Sequence, residues 1–160
     1  MRSLLLVFTI CISLLVAGSA QAANVWALYD NDGFTARLGT EVGSNIEIGI
    51  EEKAYMDWTY PFQKANYLGG LYGIIKPASD ITPEMTSRQA LEPDLLTPYI
   101  GGRILFDYED SDLPAIGGPI AGVLIYDVVA VEYQYQDWAS DLKGFKPDRH
   151  NLTVGLRLKF

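Results

Sequence analysis

The sequence predicts an all-β domain of eight antiparallel strands. Residues 151–160 alternate without a break, with an apolar side chain at every even position and a polar, charged or glycine residue at every odd one. A period of two held over such a stretch is typical of a β-strand with two unlike faces. Shorter copies of the pattern recur along the chain, and no stretch of core length has helical spacing.

Eight segments carry the strand pattern to different degrees. Two of them, 65–76 and 116–126, are rich in glycine and apolar at both odd and even positions. The pattern therefore does not say which of their sides faces the interior, and it is also compatible with core strands of a sandwich. Turn residues at 30–33 and 43–45 join the first three strands into hairpins. The predicted strands are 24–30, 33–42, 45–57, 65–76, 98–108, 116–126, 129–138 and 150–160.

The connection between the fourth and fifth strands is the exception. Residues 77–97 form a link far longer than the usual connection, and links of this length often have a function or are disordered. Within it, the stretch from Ile81 to Leu96 has room for a helical turn or two.

The first 22 residues predict a signal peptide, and residues 23–160 a single β-barrel domain. Arg2 gives a positive start, the run from Leu4 to Ala17 is apolar apart from two hydroxyl residues, and small residues at positions 20 and 22 predict cleavage after Ala22. An uncleaved membrane helix would need roughly 20 apolar residues. Cys11 lies in this leader, so the mature chain is expected to have no disulfides.

Composition excludes several classes of function. The chain has 160 residues, a net charge of −8 and no basic run, so it has the size of one domain and little with which to bind a nucleic-acid backbone. One histidine and one cysteine cannot form a zinc site of the usual Cys/His kind. No nucleic-acid partner, no metal and no cofactor is predicted.

The alternation allows two opposite arrangements. In a soluble barrel or sandwich the apolar row points inward, whereas in a membrane barrel it points toward lipid and the polar row lines the lumen. Strands of about 10 residues favour the membrane arrangement. So do the aromatic residues near predicted strand ends, where interfacial girdles lie, namely Tyr29, Tyr55, Trp58, Tyr60, Tyr99, Tyr108, Tyr126, Tyr135 and Trp138.

The polar row combines charges of both signs with many glycines, as if space on that side were tight. These charges predict a network that fills a narrow lumen; the alternative is that they line a narrow pore. The predicted lumenal charges are Arg37, Glu47, Glu51, Arg103, Asp107, Glu132, Arg157 and Lys159.

Three segments in the second half, 98–103, 132–138 and 150–160, resemble the small outer-membrane β-barrel family typified by the transmembrane domain of outer-membrane protein A. The resemblance implies an eight-stranded antiparallel up-and-down transmembrane β-barrel in the bacterial outer membrane. It also implies that Phe160 is the end that the barrel-assembly machinery recognises. Two features depart from the family: Leu158 replaces the commoner aromatic, and the long 77–97 link falls on the periplasmic side, where turns are short.

One pair of residues is a candidate for catalysis. Some eight-stranded outer-membrane barrels are lipid acyltransferases or deacylases that use a histidine and a serine at the rim, and His150 and Ser140 fall in that region. A neutral imidazole can take the proton of a hydroxyl. An ordinary rim histidine is the expected reading, because no catalytic serine motif surrounds Ser140.

The expected function is that of an outer-membrane barrel with a structural or surface-interaction role, in contact with outer-membrane lipid and without catalysis. One alternative is a lipid-modifying enzyme that acts at the rim. Another is a soluble periplasmic barrel that binds an apolar ligand inside. The oligomeric state and the physiological partner are not predicted by the sequence.

Overall fold

The computed structural model describes residues 23–56, 65–77, 95–107, 115–138 and 149–160. The predicted signal peptide with its cleavage site, most of the 77–97 link and Ser140 lie outside these residues.

The described strands form one closed antiparallel barrel. The strands are β1 (Ala23–Asp30), β2 (Gly33–Val42), β3 (Ile46–Met56), β4 (Ala65–Ile75), β5 (Leu96–Asp107), β6 (Ala115–Ile125), β7 (Val129–Tyr135), β8 (Asp137–Trp138) and β9 (His150–Lys159). Each strand pairs with its neighbours in the order β5-β4-β3-β2-β1-β9-β7-β6, and β6 pairs with β5 to complete the ring. The prediction of an all-β, eight-stranded antiparallel barrel is confirmed.

The short β8 continues β7 and does not add a ninth barrel position. Both segments pair with β6 in one continuous register, in which Ile120 lies opposite Gln134 and Gly117 lies opposite Asp137. Between these two pairs β6 carries Pro119, which has no backbone N–H to donate. The missing donor accounts for a local break in an otherwise continuous ladder.

The first and last strands close the barrel. β1 pairs with β9 from Asn24 opposite Lys159 to Tyr29 opposite Val154. The ladder ends in two backbone bonds, in which the Phe160 N–H donates to the Ala23 carbonyl at 2.9 Å and the Ala23 N–H donates to the Phe160 carbonyl at 3.2 Å. The described ring therefore has no free sheet edge between its first and last strands.

The apolar rows point outward. In β9 the side chain of Thr153 is 0% exposed, whereas those of Val154 and Leu156 are 48% and 50% exposed. The soluble-barrel alternative required the apolar rows to lie inside, so the structure contradicts its premise. Large exposed apolar side chains make up much of the outer surface, among them Tyr29, Phe34, Ile48, Ile50, Leu71, Ile75, Ile100, Ile104, Tyr133, Leu152 and Leu158.

The two segments that are apolar at both parities are ordinary barrel strands, not core strands of a sandwich. Their inward rows pack inside the barrel, where Leu68 and Ile74 of β4 and Ile116, Ile120 and Leu124 of β6 are buried. These strands are apolar on both faces because one face forms the outer surface and the other fills one side of the interior.

Two of the predicted girdle residues are placed differently. Tyr55 and Tyr99, at 1% and 2% exposure, point into the barrel and not toward its outer surface. They lie near strand ends, as predicted, but on the inward parity of β3 and β5. Tyr29 and Tyr126 are exposed on the outside, and Tyr135 is half-buried. The remaining predicted girdle side chains, of Trp58, Tyr60, Tyr108 and Trp138, lie outside the described residues.

Inward glycines make room for large inward side chains. A Cβ on Gly39 would overlap the Tyr72 hydroxyl, and one on Gly122 would overlap the Tyr99 ring. The lack of a side chain at these positions allows each tyrosine to lie across the neighbouring strands. These glycines thus lie inside the barrel at positions where large neighbouring side chains leave no room for a Cβ, in agreement with the sequence analysis.

The long link leaves β4 and enters β5 at the end of the barrel where β1 begins and β9 ends, which we call the terminal end. At this end the other two connections are the tight turns at residues 43–45 and 126–128. The placement agrees with the expectation that the link departs from the short turns of this side.

Candidate functional site in the barrel interior

The centre of the interior is organised around the Arg37 guanidinium. Arg37 Nε donates to Glu51 Oε2 at 2.6 Å, and Nη1 and Nη2 donate to the two oxygens of Glu132 at 2.6 and 2.8 Å. All three side chains are buried. The two-pronged contact with Glu132 is the strongest type of charged hydrogen bond, and it joins strands that lie three positions apart around the ring.

Further donors surround the two carboxylates. Arg103 Nη1 donates to the remaining Glu51 oxygen at 2.5 Å, so one carboxylate bridges two guanidinium groups. Glu132 also accepts hydrogen bonds from the Tyr99 hydroxyl at 3.0 Å and from the side-chain amide of Gln134. Burying an ion costs several kcal/mol unless its partners replace water, and these contacts supply the replacement.

A second layer nearer the termini surrounds Glu47. Its carboxylate accepts hydrogen bonds from the Trp26 indole at 2.6 Å, the Tyr72 hydroxyl at 2.7 Å, the Asn24 amide at 3.0 Å and Arg157 at 3.1 Å. The Arg157 guanidinium also lies 5.4 Å from the centre of the Trp26 ring, within the range of a cation–π contact. Glu47 therefore has donors from β1, β4 and β9.

The mouth at the terminal end has its own ion cluster. Glu41 accepts from Lys159 at 2.7 Å, Lys76 at 2.9 Å and Arg157 at 3.0 Å, and Arg157 also donates to Asp127 at 2.6 Å. These bonds connect β9 to β2, to the end of β4 and to the turn between β6 and β7. The terminal strand is thus held both by its backbone ladder and by charges across the mouth.

The opposite half of the interior contains separate polar pairs. Lys53 Nζ donates to Asp30 at 2.6 Å, and Asn151 donates to Asp32 at 2.7 Å. The Tyr55 hydroxyl donates to Gln136 at 2.6 Å, which joins diametrically opposite sides of the ring. Two apolar clusters pack among these polar groups; one contains Trp26, Leu28, Tyr72, Ile74, Tyr99, Ile120, Leu124 and Ala130, and the other Tyr55, Leu68, Leu105 and Ile116.

The structure brings together six of the eight predicted charges. Arg37, Glu47, Glu51, Arg103, Glu132 and Arg157 are buried and bonded within the two inner layers. Lys159 is half exposed at the mouth, where it contacts Glu41. Asp107 is half-buried at the last residue of β5, away from the central layer.

Sequence reasoning missed several members of the interior. Lys53 shares the parity of Glu47 and Glu51 in β3, and Asp30 continues the inward row of β1, so extending the alternation would have found both. Trp26 was missed for another reason. Its ring carries no charge, and only the fold shows that its indole N–H meets a carboxylate.

The candidate catalytic pair is not tested as a pair, because Ser140 lies outside the described residues. His150 itself is exposed, and its Nδ1 lies 2.5 Å from the Tyr133 hydroxyl.

Within the described residues, no group of acidic, histidine or cysteine side chains could hold a metal ion. No helix among those residues has the length and apolar character needed to cross a bilayer.

The comparison with solved structures finds the same fold. The N-terminal β-barrel domain of Pseudomonas aeruginosa OprF matches with a TM-score of 0.51 and 14% sequence identity, over 87% of this chain and 96% of that domain. The chain has the fold of the small outer-membrane β-barrels. No family model and no curated protein matches the sequence. At this identity, the similarity to the OprF domain establishes the fold and does not transfer an activity.

The shared carboxylate of Glu51 gives a test of the interior network. We expect Glu51→Gln to lower the free energy of unfolding by about 3 kcal/mol or more, because Arg37 and Arg103 would keep their buried charges and lose a common counter-ion. Glu52→Gln is the matched control, since Glu52 is the next residue and lies on the outward parity. Its loss should stay under about 1 kcal/mol. Denaturant titration of the folded proteins measures both, and equal losses would contradict the assignment.

Proposed function

We propose that this chain is a bacterial outer-membrane β-barrel protein with a structural or surface-interaction role, exported with a signal peptide that is removed after Ala22. The observation that carries the proposal is the direction of the alternation. Apolar side chains cover the outside of the barrel, while charges of both signs lie inside. In water, such a continuous apolar surface would be a strong aggregation liability, whereas a bilayer is its natural solvent.

The contents of the interior support a barrel that is filled and not open. Side chains from opposite walls meet across it, as Tyr55 does with Gln136 and Arg37 with Glu132. An eight-stranded barrel encloses a lumen that side chains can fill. We infer that the lumenal charges act as a structural plug, with Arg37, Glu51 and Glu132 at its centre.

The position of Phe160 on the barrel supports a role in assembly. Phe160 is exposed on the outside, and its backbone pairs with Ala23 where β1 and β9 meet. A residue in this position is accessible to the assembly machinery and also contributes to closure. This combination fits the proposed assembly signal.

The surroundings of His150 favour a role without catalysis. The hydroxyl within reach of the ring, among the described residues, is that of Tyr133, and it belongs to an exposed aromatic contact on the outer wall. A rim-active enzyme would instead need the ring to activate the Ser140 hydroxyl. We therefore place this enzyme second.

The outward row of β9 allows a test of whether the outer surface of the barrel faces lipid. Replacing Leu156 by Arg should destabilise the barrel by about 2–4 kcal/mol, because a guanidinium would face hydrocarbon near the middle of the strand. Thr153→Ser, which keeps an inward hydroxyl near Asp30, should cost far less. Folding titrations into lipid vesicles measure both. Similar losses at the two positions would contradict a lipid-facing row.

Conductance tests the filled lumen. In planar bilayers the purified protein should show no large and stable pore, because ion pairs and aromatic rings occupy the bore. The measurement is single-channel current across the folded protein. Reproducible conductance of porin size would overturn the proposed plug.

Deleting Phe160 tests assembly and location together. The truncated protein should accumulate in the periplasm and be degraded, because it loses both the terminal aromatic and the last pair of closing backbone bonds. Cell fractionation of the full-length and truncated forms is the measurement. If the full-length protein appears in the soluble fraction, the outer-membrane proposal fails.

A further inference from the structure

Three polar-tipped rings meet on the outer wall at the end of the barrel opposite the termini. His150 Nδ1 lies 2.5 Å from the Tyr133 hydroxyl, and the His150 ring contacts the Tyr135 ring edge-on at 5.3 Å between centroids. All three side chains have outward parity, because their neighbours Glu132, Gln134 and Asn151 are buried inside. We call these three residues, together with the adjacent Arg149, the aromatic corner.

The corner marks the limit of the apolar surface at this end of the barrel. From His150 toward the opposite end, the outward row of β9 contains Leu152, Val154, Leu156 and Leu158. From Tyr133 and Tyr135 in the same direction, the adjacent row of β7 contains Val131 and Val129. Polar-tipped aromatic residues at the end of apolar rows are typical of the interface between hydrocarbon and headgroups.

Two donors at this boundary have no partner among the described residues. The Tyr133 contact occupies Nδ1 of His150 and leaves Nε2 outside that hydrogen bond; when Nδ1 accepts from the hydroxyl, Nε2 carries the proton and is a donor. The Arg149 side chain is exposed, and within the described part of the chain it makes no ion pair; only its carbonyl is used, by the Gln136 N–H at 2.8 Å. A guanidinium next to an imidazole attracts an anion. This local attraction stands out because the chain as a whole is negatively charged, with a net charge of −8.

We propose that the aromatic corner binds the phosphate of a membrane lipid, an inference that rests on the proposed membrane location. Arg149 and His150 Nε2 contact the phosphate, and an acyl chain of the same molecule lies along Leu152 and Val154. A free phosphate ion would use the donors and gain nothing from the apolar row below them. A lipid uses both, so the position of the corner selects the lipid.

The hydrogen bond with Tyr133 has a positioning role. With Nδ1 held by the hydroxyl and the ring packed against Tyr135, the His150 ring has few orientations, and Nε2 is left outside the bond to Tyr133. A preoriented donor loses less entropy when it binds.

The chain has a single histidine, so the imidazole signal in a nuclear magnetic resonance spectrum belongs to His150. The experiment folds the full-length mature protein, with histidine labelled by ¹⁵N, in a maltoside detergent that contains no phosphate. Phosphatidylglycerol is then titrated in, and a parallel sample receives inorganic phosphate at the same concentration. We expect the Nε2 resonance to shift and saturate with the lipid and to stay in place with inorganic phosphate.

Matched variants assign the site. Arg149→Gln should weaken the apparent lipid affinity about fivefold, the effect of one interfacial cation, whereas Lys159→Gln, which removes the same charge at the opposite mouth, should leave it unchanged. Tyr133→Phe should keep the aromatic contact and lower the lipid-induced shift, since the ring loses its anchor.

An unchanged Nε2 resonance with phosphatidylglycerol would overturn the inference, and an equal response to inorganic phosphate would overturn the lipid as its source. Equal weakening by Arg149→Gln and Lys159→Gln would show a general charge effect and would also overturn it. Insertion of the unlabelled protein into vesicles is measured separately. If it inserts and the resonance does not move, the proposed function stands and the lipid site fails; if it does not insert, both fail.

Discussion

Closure of the backbone ladder between the first and last strands is the constraint on which the rest of this structure depends. A barrel leaves no unpaired sheet edge only if β1 meets β9, and here the meeting extends to the bonds between Ala23 and Phe160. Each unsatisfied backbone group in hydrocarbon would cost several kcal/mol. The charges that link Lys159 and Arg157 to Glu41 reinforce the same joint from inside the mouth.

Closing the ring creates an inside that is separated from the outside by one layer of chain. The outward rows are mostly apolar, so the inward rows hold most of the charged residues of the strands, and these must neutralise one another in a small volume. Glu51 does this by serving both Arg37 and Arg103. Elsewhere Leu68, Ile120 and their neighbours fill space without charge. The interior is therefore partly an ion network and partly an apolar core.

The strand positions were largely predictable because a period of two depends on the local chain alone. Each predicted strand agrees with the structure to within a few residues, and β9 agrees almost completely. Parity also accounts for the burial of six of the predicted charges, because it assigns each to the same face as its neighbours. Tyr55 and Tyr99 lie inside the barrel and not in the predicted girdles, because parity, and not closeness to a strand end, decides which face a side chain takes.

The sequence by itself determined the strands, their alternating faces, and the residue types on each face. Only the tertiary structure decided which face is inside, because the alternation is the same for either direction of curvature. It also decided the partners, since Arg37 and Glu132 are 95 residues apart and meet only after the ring has closed. The contact of His150 with Tyr133 likewise depends on the register of β7 against β9, which no local pattern contains.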